Sequence, residues 1–159
     1  MKMYATEDIP SSKIVDFFRS HWGSQEMVIS SGVYDCSKLD GFTIVNDEDK
    51  IIGLITYIIK DKECEIISLD SIEEGKGVGT SLVQIVENLA VKKNCQLIKV
   101  LTTNDNLLAL KFYQKRGFTL SKVLNNAVEK ARKIKAEIPL LGNDGIPIRD
   151  EIELLKFLN

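Results

Sequence analysis

The sequence holds a single histidine, and its three cysteines, Cys36, Cys64 and Cys95, stand far apart with no Cys-x-x-Cys pair. Those absences leave neither a zinc-type ligand spacing nor a disulfide framework, and an odd, unclustered cysteine count suits a reducing compartment. No apolar run approaches the ~18 residues needed to cross a membrane. The opening residues Met1 to Asp8 turn acidic at once, unlike the basic-then-apolar order of a signal peptide. The net charge of −2 supplies no basic excess, which argues against nucleic acid as a partner. There is no internal repeat and no low-complexity segment. A cytoplasmic protein is expected, with no metal, no membrane and no nucleic-acid partner; a homodimer stays open.

What is present fits one compact domain over residues 1–159, with 44% hydrophobic and 28% charged residues. Pro10-Ser11-Ser12 offers an N-cap to a short amphipathic helix carrying Ile14, Phe17 and Phe18 and ending near Trp22-Gly23. Residues 27–30 and 33–34 make a weak first strand. Residues 42–45 and 51–59 read as strands around a polar turn, the second apolar enough to be covered on both faces. Lys60-Asp61-Lys62 turns the chain into a strand over 64–69. A helix over 78–94, a strand over 96–102, a helix over 105–116 and a strand from Phe118 follow. Strand, helix, strand implies a right-handed parallel crossover appended to an antiparallel meander. The expected class is therefore α/β (α+β), with a mixed, mostly antiparallel sheet. In the tail, residues 127–136 suggest a helix whose Lys130, Arg132, Lys133 and Lys135 form a solvated face. Residues 138–148 are broken by proline and glycine. Ile152 and Leu154 then alternate with Glu151 and Glu153 in a final strand.

The most informative stretch is Glu74-Gly75-Lys76-Gly77-Val78-Gly79-Thr80, set between a strand and a helical recurrence of Val78, Leu82, Ile85, Val86 and Leu89. A glycine turn that opens a helix brings backbone amides close to an anion, and the helix dipole favours negative charge. Gly75, Lys76, Gly77, Val78, Gly79 and Thr80 are thus candidates to cradle a phosphorylated ligand. The spacing is not that of a Walker loop, because Lys76 precedes the second and third glycines. Nor is it a Rossmann fingerprint, because Leu82 fills the third glycine position. A linker or an ordinary turn is the competing reading of the loop alone.

A second segment, Asn106 to Phe118, has the form Asn-x-x-Ala-x-x-Phe-Tyr-x-x-x-Gly-Phe. With Gly-x-Gly-x-Gly about thirty residues upstream, it resembles the GNAT superfamily of acyl-CoA-dependent N-acyltransferases. The family's cofactor motif, Arg/Gln-x-x-Gly-x-Gly/Ala, places its defined positions on Glu74, Gly77 and Gly79; Glu74 departs from it. The resemblance covers about residues 40–120. It implies an N-acetyltransferase that moves an acetyl group from acetyl-CoA, the donor substrate, to a primary amine by direct attack in a ternary complex. Residues 121–159 are then an extension that completes the sheet and the acceptor site. A non-catalytic acyl-CoA-binding module is the alternative.

Amide formation from a thioester needs a neutral amine, a donor facing the developing oxyanion, and a proton for the departing thiolate. Tyr113 suits the last task, since a phenol with an ordinary pKa near 10 stays protonated; the resemblance gives its position that role. The alternative is a packed ring. Glu65 is a candidate base, on a strand position where histone-acetylating relatives carry a glutamate. Asp70 rivals it, standing nearer the expected thioester. Leu69 and Ser71 would act through backbone groups, with a bulge in this strand freeing an amide for the donor. Asn106 is expected as helix N-cap and, by the resemblance, as a contact to pantetheine. His21 reads as a surface or capping residue, and Arg149-Asp150 as a structural ion pair.

Overall fold

A computed structural model describes residues 1–73 and 75–159, arranged in two compact units. The first holds Met1–Met27, Tyr34–Ile98 and Leu158–Asn159; the second holds Val28–Val33 and Lys99–Phe157.

In the first unit the chain runs through β1 (Lys2–Ala5), α1 (Ser11–Trp22), a small hairpin of β2 (Glu26–Ile29) and β3 (Gly32–Asp35), β4 (Asp40–Val45), β5 (Ile51–Lys60), β6 (Glu63–Ser71), α2 (Val78–Lys92) and the start of β7 (Leu97–Thr103). The hairpin tip belongs to the second unit. Strands β1, β4, β5 and β6 are successive antiparallel neighbours. Beyond β6 the order continues to β7, which runs parallel to β6 because α2 carries the chain back between them. The fold is the expected mixed α/β class, mostly antiparallel with one parallel pair.

Strand β5 shows no polar alternation, and Ile51 through Thr56 are all buried. That is the pattern of a strand covered on both faces. One cover is α2, whose Val78, Leu82, Val83, Val86 and Ala90 are buried against β4, β5 and β6.

The second unit contains the rest of β7, then α3 (Leu107–Lys115), β8 (Thr119–Leu124), α4 (Ala127–Arg132) and β9 (Glu151–Phe157), with strand order β7-β9-β8. Strands β8 and β9 pair antiparallel.

Several expectations need correction. Strand β1 carries no strong strand pattern of its own; its pairing with β4, Met3 opposite Ile44, orders it. Residues 27–34 form two strands of a hairpin in a separate sheet. The N-cap of α1 is Pro10, which makes no side-chain capping bond. Helix α4 stops at Arg132 instead of residue 136. Arg132 is not part of a solvated face: its guanidinium donates to the carbonyls of Ile138, Pro139 and Ile148 and pairs with Glu129. It thereby closes the proline- and glycine-broken segment onto α4. Glu151 and Glu153 are buried within β9, and the Glu151 carboxylate accepts from the Ser30 amide at 3.1 Å.

Candidate active site

One irregularity in β6 assembles the site's acidic side. Leu54 and Thr56 of β5 stand opposite Asp70 and Ser68, but Tyr57 and Ile58 stand opposite Ile66 and Glu65. Ile67 is therefore an extra, unpaired residue, the bulge anticipated for this strand. Side chains alternate between faces along a regular strand. Without the extra residue Glu65 would point away from Ser68 and Asp70; with it, all three share one face. Midway along that face the hydroxyls of Ser68 and Thr56 bond at 2.6 Å and are buried.

Asp70 stands apart from the other described carboxylates of this unit. Its Oδ1 accepts a hydrogen bond from the indole Nε1 of Trp22 at 3.0 Å. Its Oδ2 is buried and has no hydrogen-bond partner among the described residues. Burial raises the carboxyl pKa to about 6, against the opposing pull of the Trp22 hydrogen bond and the charge of His21. His21 is oriented by a 2.8 Å bond between Nδ1 and the Phe17 carbonyl and by stacking on the Phe17 ring. Glu65, the other candidate base, is also buried, 6% exposed. Trp22, the hydrogen-bond partner of Asp70, was not among the residues the sequence singled out as candidates. Its only signal was an aromatic four residues beyond Phe18 at the end of an amphipathic helix.

From Ser71 the chain enters the glycine turn. The Ser71 hydroxyl donates to the Glu73 carbonyl at 3.3 Å, and Lys76 pairs with the Glu73 carboxylate at 3.0 Å. Glu74, the position that departs from the family motif, lies outside the described residues. Gly75 and Gly77 adopt φ of +76° and +71°, with open space where a β-carbon would stand. Gly77 is the N-cap of α2 and supplies no side chain to the first-turn amides. A helix start whose N-cap is a glycine, entered through left-handed glycines, fits the phosphates of CoA. Leu69 pairs with Ile55 in the β5–β6 ladder, on the face opposite Asp70.

In the second unit, α3 brings Asn106 and Tyr113 onto one element. Asn106 is the N-cap, its Oδ1 accepting from the Ala109 amide at 3.1 Å. At the other end, Gly117 N–H donates to the Gln114 carbonyl and Phe118 N–H to the Tyr113 carbonyl, closing the helix. Tyr113 is 5% exposed, and its ring meets Phe112 and Phe118 edge-on, with centroids 5.2 and 5.3 Å away.

Arg149 and Asp150 form the structural pair expected. The guanidinium contacts both Asp150 oxygens, and Asp150 Oδ1 also accepts from the Asn126 amide at 2.8 Å. These bonds hold the Asp150 carboxyl below the usual carboxylate range. The three cysteines are free thiols. All three are buried, and burial pushes the Cys64 thiol up to about 12 and raises Cys95 as well.

Residues 12–118 match the acetyltransferase (GNAT) family. Two uncharacterized proteins of Bacillus subtilis, YxbD and YdhI, are each 52% identical, covering 99% and 100% of this chain and 99% of their own lengths. Among solved structures, the IAA acetyltransferase of Bacillus cereus superposes with a TM-score of 0.70 at 19% identity, over 99% of this chain and 100% of that one. A GNAT family acetyltransferase of Elizabethkingia anophelis with acetyl-CoA bound gives 0.66 at 20% identity, over 94% and 85%. A Bacillus subtilis acetyltransferase in complex with CoA gives 0.64 at 21% identity, over 95% and 86%. At these identities the structural likenesses establish the fold.

Proposed function

The chain belongs to the GNAT acetyltransferase family, a family of acyltransferases, and we propose that it acetylates a primary amine from acetyl-CoA by direct attack, with Asp70 as the base. The observation that carries the assignment is Asp70 Oδ2, a buried carboxylate oxygen without a partner among the described residues, on the strand that leads into the glycine turn. A general base works best with a pKa near the operating pH, and a carboxyl near 6 is ionised at neutral pH yet basic enough to take a proton.

The donor supplies a thioester carbonyl activated for acyl transfer. The amides from Gly75 to Thr80 bind its pyrophosphate, and the backbone of Leu69 and Ser71 lines the pantetheine; Asn106 is assigned to the pantetheine by its motif position. Asp70 Oδ2 takes a proton from the acceptor's ammonium, which frees the nitrogen lone pair to form the amide bond. As the carbon–sulfur bond breaks, Tyr113, assigned by its motif position, gives its phenolic proton to the sulfur; the nitrogen's second proton leaves to solvent as the amide forms, and solvent reprotonates the phenolate. Direct transfer is favoured over an acyl-enzyme because Cys36, Cys64 and Cys95 are all buried and burial raises the Cys64 and Cys95 thiols.

The test is acetyl-CoA turnover, followed as free thiol release, against spermidine, kanamycin, lysine and a peptide with a free N-terminus. Release that depends on one of these amines and yields its amide supports the reading. Tight CoA binding with no amine-dependent release would instead make the protein a binding module.

A further inference from the structure

The two oxygens of Asp70 have unlike surroundings. Oδ1 accepts from Trp22 Nε1 at 3.0 Å, and Oδ2 is buried with no partner among the described residues. We propose that Trp22 is a positioning residue: its indole N–H holds Oδ1 and leaves Oδ2 as the oxygen that takes the acceptor's proton. The inference rests on the reading of Asp70 as base.

The chemistry of indole makes this assignment directional. Indole N–H donates and cannot accept. A proton on Oδ1 would turn the oxygen that accepts from the indole into a hydroxyl oxygen, the poorer acceptor, and would weaken that bond. The proton settles on Oδ2. A hydroxyl or amide partner could rotate or flip to accommodate either oxygen; an indole cannot.

The donor is itself held in place. Trp22 is the last residue of α1, its ring centroid lies 5.1 Å from that of the fully buried Phe18, and Gly23 N–H closes the helix onto the Arg19 carbonyl at 2.9 Å. To Asp70, α1 brings Trp22 and the charge of His21; from β5, Leu54 stands opposite. Further along the shared face lie the Ser68–Thr56 hydroxyl pair and Glu65. Burial pushes the Asp70 carboxyl up, and the two consecutive residues at the end of α1 pull it down.

Trp22 is the chain's only tryptophan, so its fluorescence reports this one hydrogen bond. In the intact protein, Trp22 emission should titrate with a midpoint near 6, and the transition should be absent from Asp70→Asn and retained in His21→Gln. The acidic limb of kcat/KM, measured with the fastest amine of the panel above, should share that midpoint. In Trp22→Phe the limb should move to higher pH by about one unit or more, since the ionised carboxylate loses a hydrogen bond. Should Trp22→Phe not fold, replacement of the indole by benzothiophene, which keeps the ring shape and lacks the N–H, gives the same comparison.

The outcomes separate. A full rate in Asp70→Asn at every pH overturns the base and the Trp22 role together. Loss of the limb in Asp70→Asn with an unmoved limb in the Trp22 variants overturns the Trp22 role alone and leaves Asp70 as base. A lower rate at unchanged limb position would mark Trp22 as packing only.

Discussion

The side chain of Val78 occupies the space that a β-carbon on Gly53 would need, so the first turn of α2 rests on the bare backbone of β5. The placement of the glycine turn thus depends on a residue in a different strand. Gly53→Ala should displace Val78 and Leu82 and lower stability by about 1–3 kcal/mol, the usual effect of overpacking. It should also weaken CoA binding, because the displaced turn carries the amides. Urea unfolding and a CoA titration of the same variant check both. Lost stability with unchanged CoA affinity would separate the cradle from this contact.

At the turn itself, backbone conformation and charge can be tested apart. Gly77→Ala strains a left-handed N-cap at about 1 kcal/mol but adds no bulk against a neighbour. Gly79→Asp adds a negative charge where phosphates are expected, and should weaken CoA binding about tenfold or more in a folded protein. Unchanged affinity in folded Gly79→Asp would remove the cradle assignment.

Asp70 should destabilise the fold at neutral pH. Its folded pKa of about 6 exceeds the ordinary 3.8 of an aspartate, so the folded state binds the proton more tightly than the unfolded chain. The penalty for carrying the charge is present above about pH 6, shrinks as pH falls through the folded value, and is gone below about 4. Asp70→Asn should accordingly raise stability at pH 7.5 by up to about 3 kcal/mol, less what the buried amide costs to desolvate. The gain over wild type should vanish near pH 4. Thermal melts of both proteins from pH 4 to 8 measure it, and a variant less stable at every pH would contradict the sign.

Tyr113→Phe should reduce turnover by ~10²–10⁴-fold, the usual contribution of a general acid, with CoA affinity little changed. The ring contacts to Phe112 and Phe118 survive the substitution. A full rate, with chemistry shown to limit turnover, would reduce Tyr113 to its packing role.

The legible parts of this protein were those encoded locally. The N-cap at Asn106, the end of α3 at Gly117 and the glycine turn before α2 each follow from a few neighbouring residues. What escaped was set by distant contacts. Strand β6 was readable, and a bulge in it was expected, but the position of the extra residue depends on register against β5. Since one residue reverses every side chain beyond it, the common face of Glu65, Ser68 and Asp70 was not readable. Trp22 gained meaning only when α1 met β6, forty-eight residues away in sequence. Arg132 looked like one cation of a solvated face because its three carbonyl partners come from the irregular segment that follows.

The central claim is that Asp70 takes the acceptor's proton, and the pH dependence of kcat/KM in wild type, Asp70→Asn and Glu65→Gln tests it most directly. With one amine and thiol release as the signal, wild type should lose activity below about pH 6. Asp70→Asn should lose that limb and fall by ~10²-fold or more at its best pH. Glu65→Gln should keep the limb where it is. An unaltered rate and limb in Asp70→Asn, or loss of the limb in Glu65→Gln alone, would contradict the account.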